Sequence, residues 1–468
     1  MKAHPVEPAA EIPAQTPAQV ATRVQLDFFP QMPLVVQPCA GQMTSDAGLL
    51  PIRQFDERWN YTQRMAACLA DPRPQRGQSL LSMLRQRVFG ILAGYEDCND
   101  HDTLRHDPVF KLIAGRLPEA PGLASQPTLS RFENLPTPGE LYQLLDFHIA
   151  MGVERLKAHH GGELPEQLTL DLDATDDPTH GHQQLTLFHG YFGQYQYFPL
   201  IISEPETKHV FLAWLRPGTV HASLGADDDL LRVVNALRKE KPGIRIHVRA
   251  DAGFGLPRMY DVCEQNDLTY TFGFSTSVPL RKLTEGLMNQ AVEQFAGSKT
   301  KQRLFACFEH QCASWDKKRR VIAKAECHEG GTNLRFTVTN RAGVASAQDG
   351  EREYDDYIQR GESEQRMDEL KTGLKMDRLS CHRFMANFFR LLLNVAAMNL
   401  LNAVRDDAEL PEVLRKGQPC TWRTLVIKVA ATITQSVRRV VVKTAAPWPW
   451  WRMYHAAANR SLRVISTA

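Results

Sequence analysis

Several acidic residues stand where the sequence could bind a divalent cation. Asp171, Asp173, Asp176 and Asp177 follow one another closely at the end of an alternating apolar and polar run that begins at Gln167. Four ionised carboxylates this close together cannot all be buried without partners. A divalent cation is one such partner, because hard cations take oxygen ligands. A solvated loop that caps the next element is the alternative.

A second candidate ligand is Asp251, which ends a strand-like run from Ile244 and precedes Ala252-Gly253. Carboxylates from separate elements can hold two metal ions about 4 Å apart, which stabilise both the attacking and the leaving oxygen of a phosphodiester. Oxygen-rich ligand sets favour magnesium or manganese over zinc. Taken alone, an Asp before Gly at the end of a strand is also typical of a simple turn.

The third candidate carboxylate lies in a helical segment. Four residues at offsets of 0, 3, 7 and 14 fall within about 60° of one another at ~100° per residue: Tyr357, Arg360, Glu364 and Lys371. The two cations on this face could bind the phosphates of a cleaved strand. Solvated ion pairs at the same spacing are the alternative. Glu362 is a weaker rival to Glu364, because it leaves this face.

The middle of the chain has a mixed pattern in which both aspartate sites follow strands. Alternation predicts strands, and apolar residues at helical spacing predict helices. The strands are predicted at 167–173, 195–203, 209–216, 244–251 and 268–274, and the helices at 224–239 and 257–264. Three strands, a helix, a strand, a helix and a strand follow one another in a ribonuclease H-like core. The expected fold class is therefore α/β with such a core.

Other regions flank and interrupt this core. Residues 1–24 are rich in Pro and Ala, which is typical of disorder, and Ser79 could cap a helix that follows it. The expected organisation is a disordered tail (1–24), a helical domain that could bind DNA (25–150), the first part of the core (160–280), a β-rich insertion (281–350), the rest of the core with the helix that carries Glu364 (351–405), and a helical, basic C-terminal region (406–468).

Composition narrows the class of protein. The formal net charge is only +2, but residues 411–468 contain ten Lys or Arg and one acid, which suits contact with a polyanion. A solvated basic tail is the alternative. The nine cysteines form no CxxC motif, and neither a signal peptide nor a run of ~18 apolar residues is evident. We therefore expect a cytoplasmic protein with reduced thiols and no membrane partner.

The sequence resembles the DDE transposases of bacterial insertion sequences, and most closely the insertion sequence 1380 family (transposase DDE domain group 1). The resemblance covers about Gln25 to Asn459, nearly the whole chain. Four stretches carry it: Gly48-Leu49-Leu50 through Gly94-Tyr95-Glu96-Asp97-Cys98-Asn99-Asp100; Asp171-Leu172-Asp173-Ala174-Thr175 with Asp177-Pro178-Thr179-His180-Gly181; Leu215-Arg216-Pro217-Gly218 with Val220-His221 and Arg249-Ala250-Asp251-Ala252-Gly253-Phe254; and Glu364 with Asn387-Phe388-Phe389-Arg390-Leu391.

This resemblance implies cut-and-paste DNA transposition with a divalent metal, Mg²⁺ or Mn²⁺, as two ions. By position, the metal ligands and catalytic residues would be Asp173, Asp251 and Glu364. Asp171 is the rival to Asp173, because alternate residues of a strand face the same side; Asp173 directly precedes the Ala-Thr that follows the catalytic Asp in this pattern. The partners would be the terminal repeats of the element and target DNA, with a homodimer in the synaptic complex.

The same resemblance gives DNA contacts to a further set of residues. Tyr357, Arg360 and Lys371 would contact DNA near the cleaved end, and Trp315 of the insertion would stack on a flipped base, although a core or surface tryptophan is an equal alternative. Two other classes of protein remain open. One is a transposase-derived DNA-binding protein without activity, and the other is a regulatory protein with zinc at the cluster from Cys307 to His328.

Overall fold

The computed structural model describes residues 24–26, 32, 34–37, 41–74, 77–445 and 448–462. The expected disordered tail falls almost entirely outside these residues. Three short strands and seven helices come first: β1 Val24–Leu26, β2 Leu34–Val36, β3 Gln42–Thr44, α1 Leu49–Trp59, α2 Tyr61–Ala67, α3 Leu80–Ala93, α4 His101–Leu104, α5 Pro108–Ile113, α6 Gln126–Glu133 and α7 Pro138–His159.

Side-chain caps define where the main helices of this region begin. Ser79 Oγ accepts a hydrogen bond from the backbone N–H of Ser82, which confirms the predicted cap of α3. Thr137 and Glu140 form a capping box at the start of α7, because each side chain bonds the other residue's backbone N–H. Both helices pack on α14, defined below, so the helical region shares its core with the rest of the chain.

The middle of the chain forms strands and intervening helices, and most of them occur in the order that the sequence predicts. They are β4 Gln167–Ala174, β5 Asp177–Pro178, β6 Leu187–His189, β7 Gln194–Tyr197, β8 Leu200–Ser203, β9 Val210–Trp214, α8 Ala226–Glu240, β10 Arg245–Ala250, α9 Pro257–Gln265, β11 Thr269–Phe274, α10 Val278–Leu283, α11 Glu285–Ser298, β12 Gln302–His310, β13 Arg319–His328 and β14 Gly331–Thr339.

Eight of these strands form one sheet in the order β12-β13-β14-β11-β10-β4-β8-β9. Strands β4, β10 and β11 are parallel, whereas β8 is antiparallel to β4, and β9 to β8. The fold is therefore mixed α/β with a large sheet. The predicted single strand 195–203 is wrong: Pro199, which has no N–H to donate, separates β7 from β8, and β7 joins a small sheet with β5 and β6.

The insertion extends the central sheet by three antiparallel strands, β14, β13 and β12. Residues 278–298 within it are helical, which the alternating pattern did not predict. Ser277 caps α10 through the backbone N–H of Leu280. One face of α11 packs on the sheet through Leu287, Ala291 and Phe295, and this contact stabilises the helix.

Long helices follow the insertion: α12 Ala347–Ile358, α13 Gly361–Asp368 with a π-helical turn at Glu369–Gly373, and α14 Phe384–Arg405. Helix α14 is long and apolar enough to cross a membrane by composition, but 89% of its apolar window is buried inside the protein. Its polar side chains also have partners within the protein. Asn399, for example, both accepts from and donates to the backbone of Val210 in β9. We conclude that α14 is a core helix.

The basic region is not only helical. It contains α15 Glu412–Arg415, α16 Pro419–Trp422, a π-helical turn at Arg423–Ile427, β15 Ala431–Gln435, β16 Val440–Thr444 and α17 Trp451–Leu462. Strand β15 pairs with β3, and α17 packs on α1. Gly48 lies so close to this region that a β-carbon there would come within 1.7 Å of the Val426 carbonyl oxygen. The first and last parts of the described chain therefore form one packed unit.

Candidate active site

Two aspartates lie at the carboxyl ends of adjacent parallel strands. The register of β4 and β10 ends with the pair Leu172 and Ala250, so Asp173 and Asp251 come next on the two strands. Asp173 Oδ1 accepts from the N–H of Ala174 at 2.9 Å. Asp251 Oδ1 accepts from the N–H of Gly253 at 2.8 Å and begins a single 3₁₀ turn. These backbone bonds hold both carboxylates at one edge of the sheet.

Asp171 has different surroundings from its rival Asp173. It is fully buried, and its two oxygens accept from Nε and Nη2 of Arg249 at 2.8 and 3.1 Å. Arg366 Nη2, from α13, donates to the same carboxylate at 2.6 Å. A carboxylate held by two buried guanidiniums has little capacity left for a cation. This observation supports Asp173 as the first member of the site.

Helix α13 brings the third carboxylate to the same edge. Arg360 donates from Nη1 to Asp173 Oδ2 at 3.4 Å and from Nη2 to Glu364 Oε1 at 3.3 Å, so it bridges the two acids. The Glu364 side chain is 69% exposed and faces solvent beyond this bridge. The side chain of Glu362, its rival, lies outside the described part of the structure.

The face predicted for one continuous helix spans three segments. Tyr357 lies in the last turn of α12, Arg360 precedes α13, and Lys371 lies in the π-helical turn after α13. The bend does not separate these residues from the site, because Lys371 Nζ donates to Asp176 Oδ1 at 2.8 Å and to Thr175 Oγ1 at 3.3 Å. A cleft of about 400 Å³ lies here, with Asp173, Thr175, Glu364 and Lys371 in its lining.

Tyr357 is held beside Asp251 by a close approach of backbone. A β-carbon on Gly273 of β11 would lie 2.8 Å from the Tyr357 hydroxyl and 2.7 Å from the Ala252 nitrogen. Only glycine leaves room for both groups. Burial raises the pKa of Tyr357, Arg360 lowers it, and Asp251 and Asp173 raise it further, so the phenol keeps its proton at neutral pH.

The electrostatics of the site favour added positive charge. Burial raises the pKa of Asp173 to about 6; Arg360 lowers it, while Asp251 and Glu364 raise it further. Among the described residues, the oxygens of these three acids do not all lie within 4.8 Å of one another, as ligands of one shared ion would. A pair of ions about 4 Å apart spans a wider set of ligands. An all-carboxylate donor set fits Mg²⁺ or Mn²⁺.

Comparison with known proteins identifies the family. A family model described as transposase DDE domain group 1 matches residues 30–465. The chain belongs to this family. A search of solved structures finds a chain of the piggyBac transposase synaptic complex with hairpin DNA, 12% identical, with 83% of each chain covered and a TM-score of 0.39, which is too low to establish a shared fold. No curated protein matches the sequence.

In this DDE-family chain, Trp315 lies in the core, apart from the carboxylates. It is 5% exposed. Its ring packs against Tyr260 and Phe274 at centroid distances of 5.5 and 5.1 Å, and the Arg319 guanidinium lies 5.7 Å from its centroid. A base cannot stack on a ring covered in this way. The structure therefore gives no support to the expected contact with a flipped base and agrees with the alternative of a core tryptophan.

The cysteines of the insertion do not gather around a common point. Cys307 of β12 pairs in register with Ile322 of β13, whereas Cys327 pairs with Gln302. Five residues along a strand separate the two thiols, which corresponds to about 16 Å. This spacing removes the support for a zinc site between Cys307 and His328 in the DDE-family chain.

Sequence reasoning missed two residues that hold α13 against the sheet. Ser363 Oγ lies 3.4 Å from Asp173 Oδ2, and Arg366 binds Asp171. Both are buried, as are Met367 and Leu370. The four residues are spaced as the inner face of a helix, i, i+3, i+4 and i+7, and this periodicity is the signal that could have found them.

Proposed function

We propose that this chain is a DNA transposase that cuts phosphodiesters at the ends of an insertion sequence and joins the freed 3′ ends to target DNA by a cut-and-paste route. The single observation that carries the proposal is the grouping of three acids: Arg360 bridges Asp173 and Glu364, and Asp251 follows the strand paired with that of Asp173. Family membership supports it, because the family model that matches residues 30–465 is described as a transposase DDE domain.

The sheet order supports a ribonuclease H-like assignment for the catalytic core. Strands β9, β8, β4, β10 and β11 are adjacent in the order third, second, first, fourth and fifth, with only the second antiparallel to the rest. Such a core places acids at the carboxyl ends of its first and fourth strands. In this chain those positions are Asp173 and Asp251.

Each residue of the site has a proposed task. Asp173, Asp251 and Glu364 hold two Mg²⁺ or Mn²⁺ ions, which when bound stabilise the attacking and leaving oxygens of the phosphodiester. Arg360 neutralises Asp173 and Glu364 before the ions arrive and then turns to a phosphate of the cleaved strand. Lys371 binds a second phosphate from the lip of the cleft. Tyr357 keeps its proton and donates a hydrogen bond to an oxygen of the DNA backbone.

DNA is the proposed macromolecular partner, as terminal repeats and as target, with a homodimer in the synaptic complex. The helical region 25–150 is the proposed reader of the repeat. Several basic residues of the last region are exposed and available to phosphates: Arg438, Arg439, Lys443 and Arg452. Others bind within the protein, since Lys428 pairs with Asp46 and Arg423 with carbonyls of α3. We place the protein with nucleoid DNA in a bacterial cytoplasm.

The test uses Glu364→Gln and DNA that carries the sequences flanking the gene for this chain. With Mg²⁺, the wild-type protein should cut at the element ends, and the cut strands are mapped on a sequencing gel. Glu364→Gln should lose cleavage by about 10²–10³-fold or more, since the loss of one strong transition-state contact alone costs about 10²–10³-fold, and it should keep DNA affinity within a few-fold.

The matched control is Glu351→Gln, an exposed glutamate on α12 with no contact to the site. It should cut like the wild-type protein. Normal cleavage by Glu364→Gln would sink the assignment. Binding without any metal-dependent nicking by the wild-type protein would instead favour the second candidate, a transposase-derived DNA-binding protein without activity.

A further inference from the structure

Two consecutive histidines at the end of α7 face a glutamate in the turn between β8 and β9. Nε2 of His159 lies 3.1 Å from Oε1 of Glu206, and Nε2 of His160 lies 3.2 Å from Oε2. The possible ligand atoms of the three residues all lie within 4.8 Å of one another. The histidine side chains are about one quarter exposed and Glu206 is half exposed, so a water molecule could complete the group.

We propose that His159, His160 and Glu206 bind a zinc ion. Zinc takes histidine nitrogen at about 2.0–2.1 Å and carboxylate oxygen at about 2.0–2.2 Å in a tetrahedral arrangement. Neighbouring ligand atoms around such an ion are ~3.3 Å apart by simple geometry. The two observed nitrogen–oxygen distances, one to each oxygen of the Glu206 carboxylate, are close to this value. Two nitrogens and a carboxylate with one place open to water are a ligand set that zinc takes in proteins.

The surroundings of the histidines support ligation. His159 Nδ1 lies 2.7 Å from Asp406 Oδ2, just after α14, so its other nitrogen, Nε2, is the one that faces Glu206 and the proposed ion. A carboxylate on the second nitrogen is the usual partner of a metal-bound histidine, because it fixes the ring and its tautomer. Asp406 is itself held by Arg155. The proposed ligand thus has a fixed orientation before any ion binds.

His160 adds an independent observation. Its Nε2 is buried and has no hydrogen-bond partner among the described residues, although Glu206 lies 3.2 Å away. The two groups are close but not aligned as a donor and an acceptor. Buried nitrogens without partners are rare, because they lose hydration without compensation. A shared ion would satisfy both groups in this arrangement.

The zinc site is separate from the carboxylate site. Asp173 pairs with Ile201 near the start of β8, whereas Glu206 follows the end of that strand, so the two sites lie at opposite edges of the sheet. The ion would tie together the end of α7, the turn after β8 and, through Asp406, the end of α14. Its role is to fasten the helical region to the sheet.

The test is zinc titration of the metal-stripped full-length protein in excess Mg²⁺, followed by isothermal calorimetry. Magnesium occupies oxygen-rich sites and competes poorly for histidine. We expect one tight zinc site per chain in the wild-type protein and in the control His455→Gln, which changes an exposed histidine on α17. The melting temperature should rise with zinc in both proteins.

The variants His160→Gln and Glu206→Gln should bind zinc at least tenfold more weakly and lose the shift in melting temperature. Asp406→Asn should weaken binding by about 10–100-fold, as expected when the orienting carboxylate is lost. Circular dichroism of each variant without zinc checks that it is folded. The proposal is overturned if the wild-type protein binds no zinc in magnesium buffer, or if both ligand variants keep wild-type affinity. Either result would mean that His159, His160 and Glu206 form an ion-pair network and bind no metal.

Discussion

Asp171 and Asp173, which lie close together at the candidate site, have different expected roles because their side-chain partners differ. Asp171 is buried between two arginines, Arg249 and Arg366, whereas Asp173 faces Asp251 and Glu364, and Arg360 offsets part of this charge. A buried carboxylate with two guanidinium partners stabilises the fold. A carboxylate that faces other acids lowers the stability of the fold, and such an arrangement is typical of a functional site.

The pair Asp171→Asn and Asp173→Asn should separate these roles. Asp171→Asn leaves two buried arginines short of a counter-charge and should lower the free energy of unfolding by about 3 kcal/mol or more. Asp173→Asn removes a carboxylate from among like charges and should change stability by less than about 1 kcal/mol while abolishing cleavage. Urea unfolding in EDTA and the nicking assay measure the two effects. Equal destabilisation by both variants would contradict this division.

Asp177 gives a prediction about pH. Burial raises its pKa well above the ordinary value, Asp377 adds to the rise, and neither of its oxygens has a hydrogen-bond partner among the described residues. A group whose pKa is raised on folding stabilises the fold only at low pH, and that contribution is lost as pH rises from ~3.9 through the raised value. Asp177→Asn should therefore stabilise the protein at pH 8 more than at pH 5.

The control for this pH effect is Asp176→Asn. Asp176 forms an ion pair with Lys371 at 2.8 Å. Burial raises the pKa of Asp176, but Lys371 and Gln194 lower it by more, so the pKa lies below its ordinary value. Its stabilising contribution is already complete above about pH 5, so Asp176→Asn should destabilise the protein by a similar amount at pH 5 and pH 8. Chemical unfolding at both pH values tests the pair. An equal effect of Asp177→Asn at the two pH values would contradict the prediction.

At the scale of elements, the sequence patterns predicted those strands and helices that depend on residues close together in the chain. Alternation located β4, β10 and β11 to within two residues, and with them the positions of Asp173 and Asp251. The spacing of Tyr357, Arg360 and Glu364 predicted that these residues share a site, although the helix that carries them bends twice. The bend is not visible in the sequence, because it depends on the fit of α13 against β4.

Other elements could not be predicted because distant residues determine them. Helix α11 is stabilised by the face of β12 and β13 that covers its apolar side chains. From the sequence alone, Trp315 could be exposed and stack on a base. In the fold, Tyr260 and Phe274 pack against its ring. The proposed zinc ligands come from two separate segments, and only the fold brings His160 to Glu206. Pairings over long sequence distances leave no periodic signal in either segment.

At the scale of the molecule, the core is shared between the two ends of the chain. The N–H groups of Ala47 and Gly48 donate to carbonyls of Val429 and Ile427, both at 3.1 Å. Lys428 pairs with Asp46 at 2.7 Å and lies over the Tyr95 ring. The helical region and the basic region therefore should not unfold separately.

Gly48→Ala tests this coupling with one added methyl group. The new β-carbon would meet the Val426 carbonyl oxygen at 1.7 Å, so backbone must move, and the free energy of unfolding should fall by at least about 2 kcal/mol. Gly77→Ala, with nothing within 4 Å of the added carbon, should change it by less than about 0.5 kcal/mol. Calorimetry should show one transition at a lower temperature for Gly48→Ala; two separated transitions would contradict a shared core.

The contact between Arg423 and Leu92 also sets the timing of folding during synthesis. Arg423 Nε donates to the Leu92 carbonyl across 331 residues of chain. At about 5–20 residues per second, a ribosome makes these two residues roughly 15 to 65 s apart. Throughout that interval helix α3 has emerged without the segment that covers it. A nascent chain of this protein must therefore stay unaggregated with an unfinished helical region, and we expect chaperones that bind apolar surface to occupy it until residue 423 has left the ribosome.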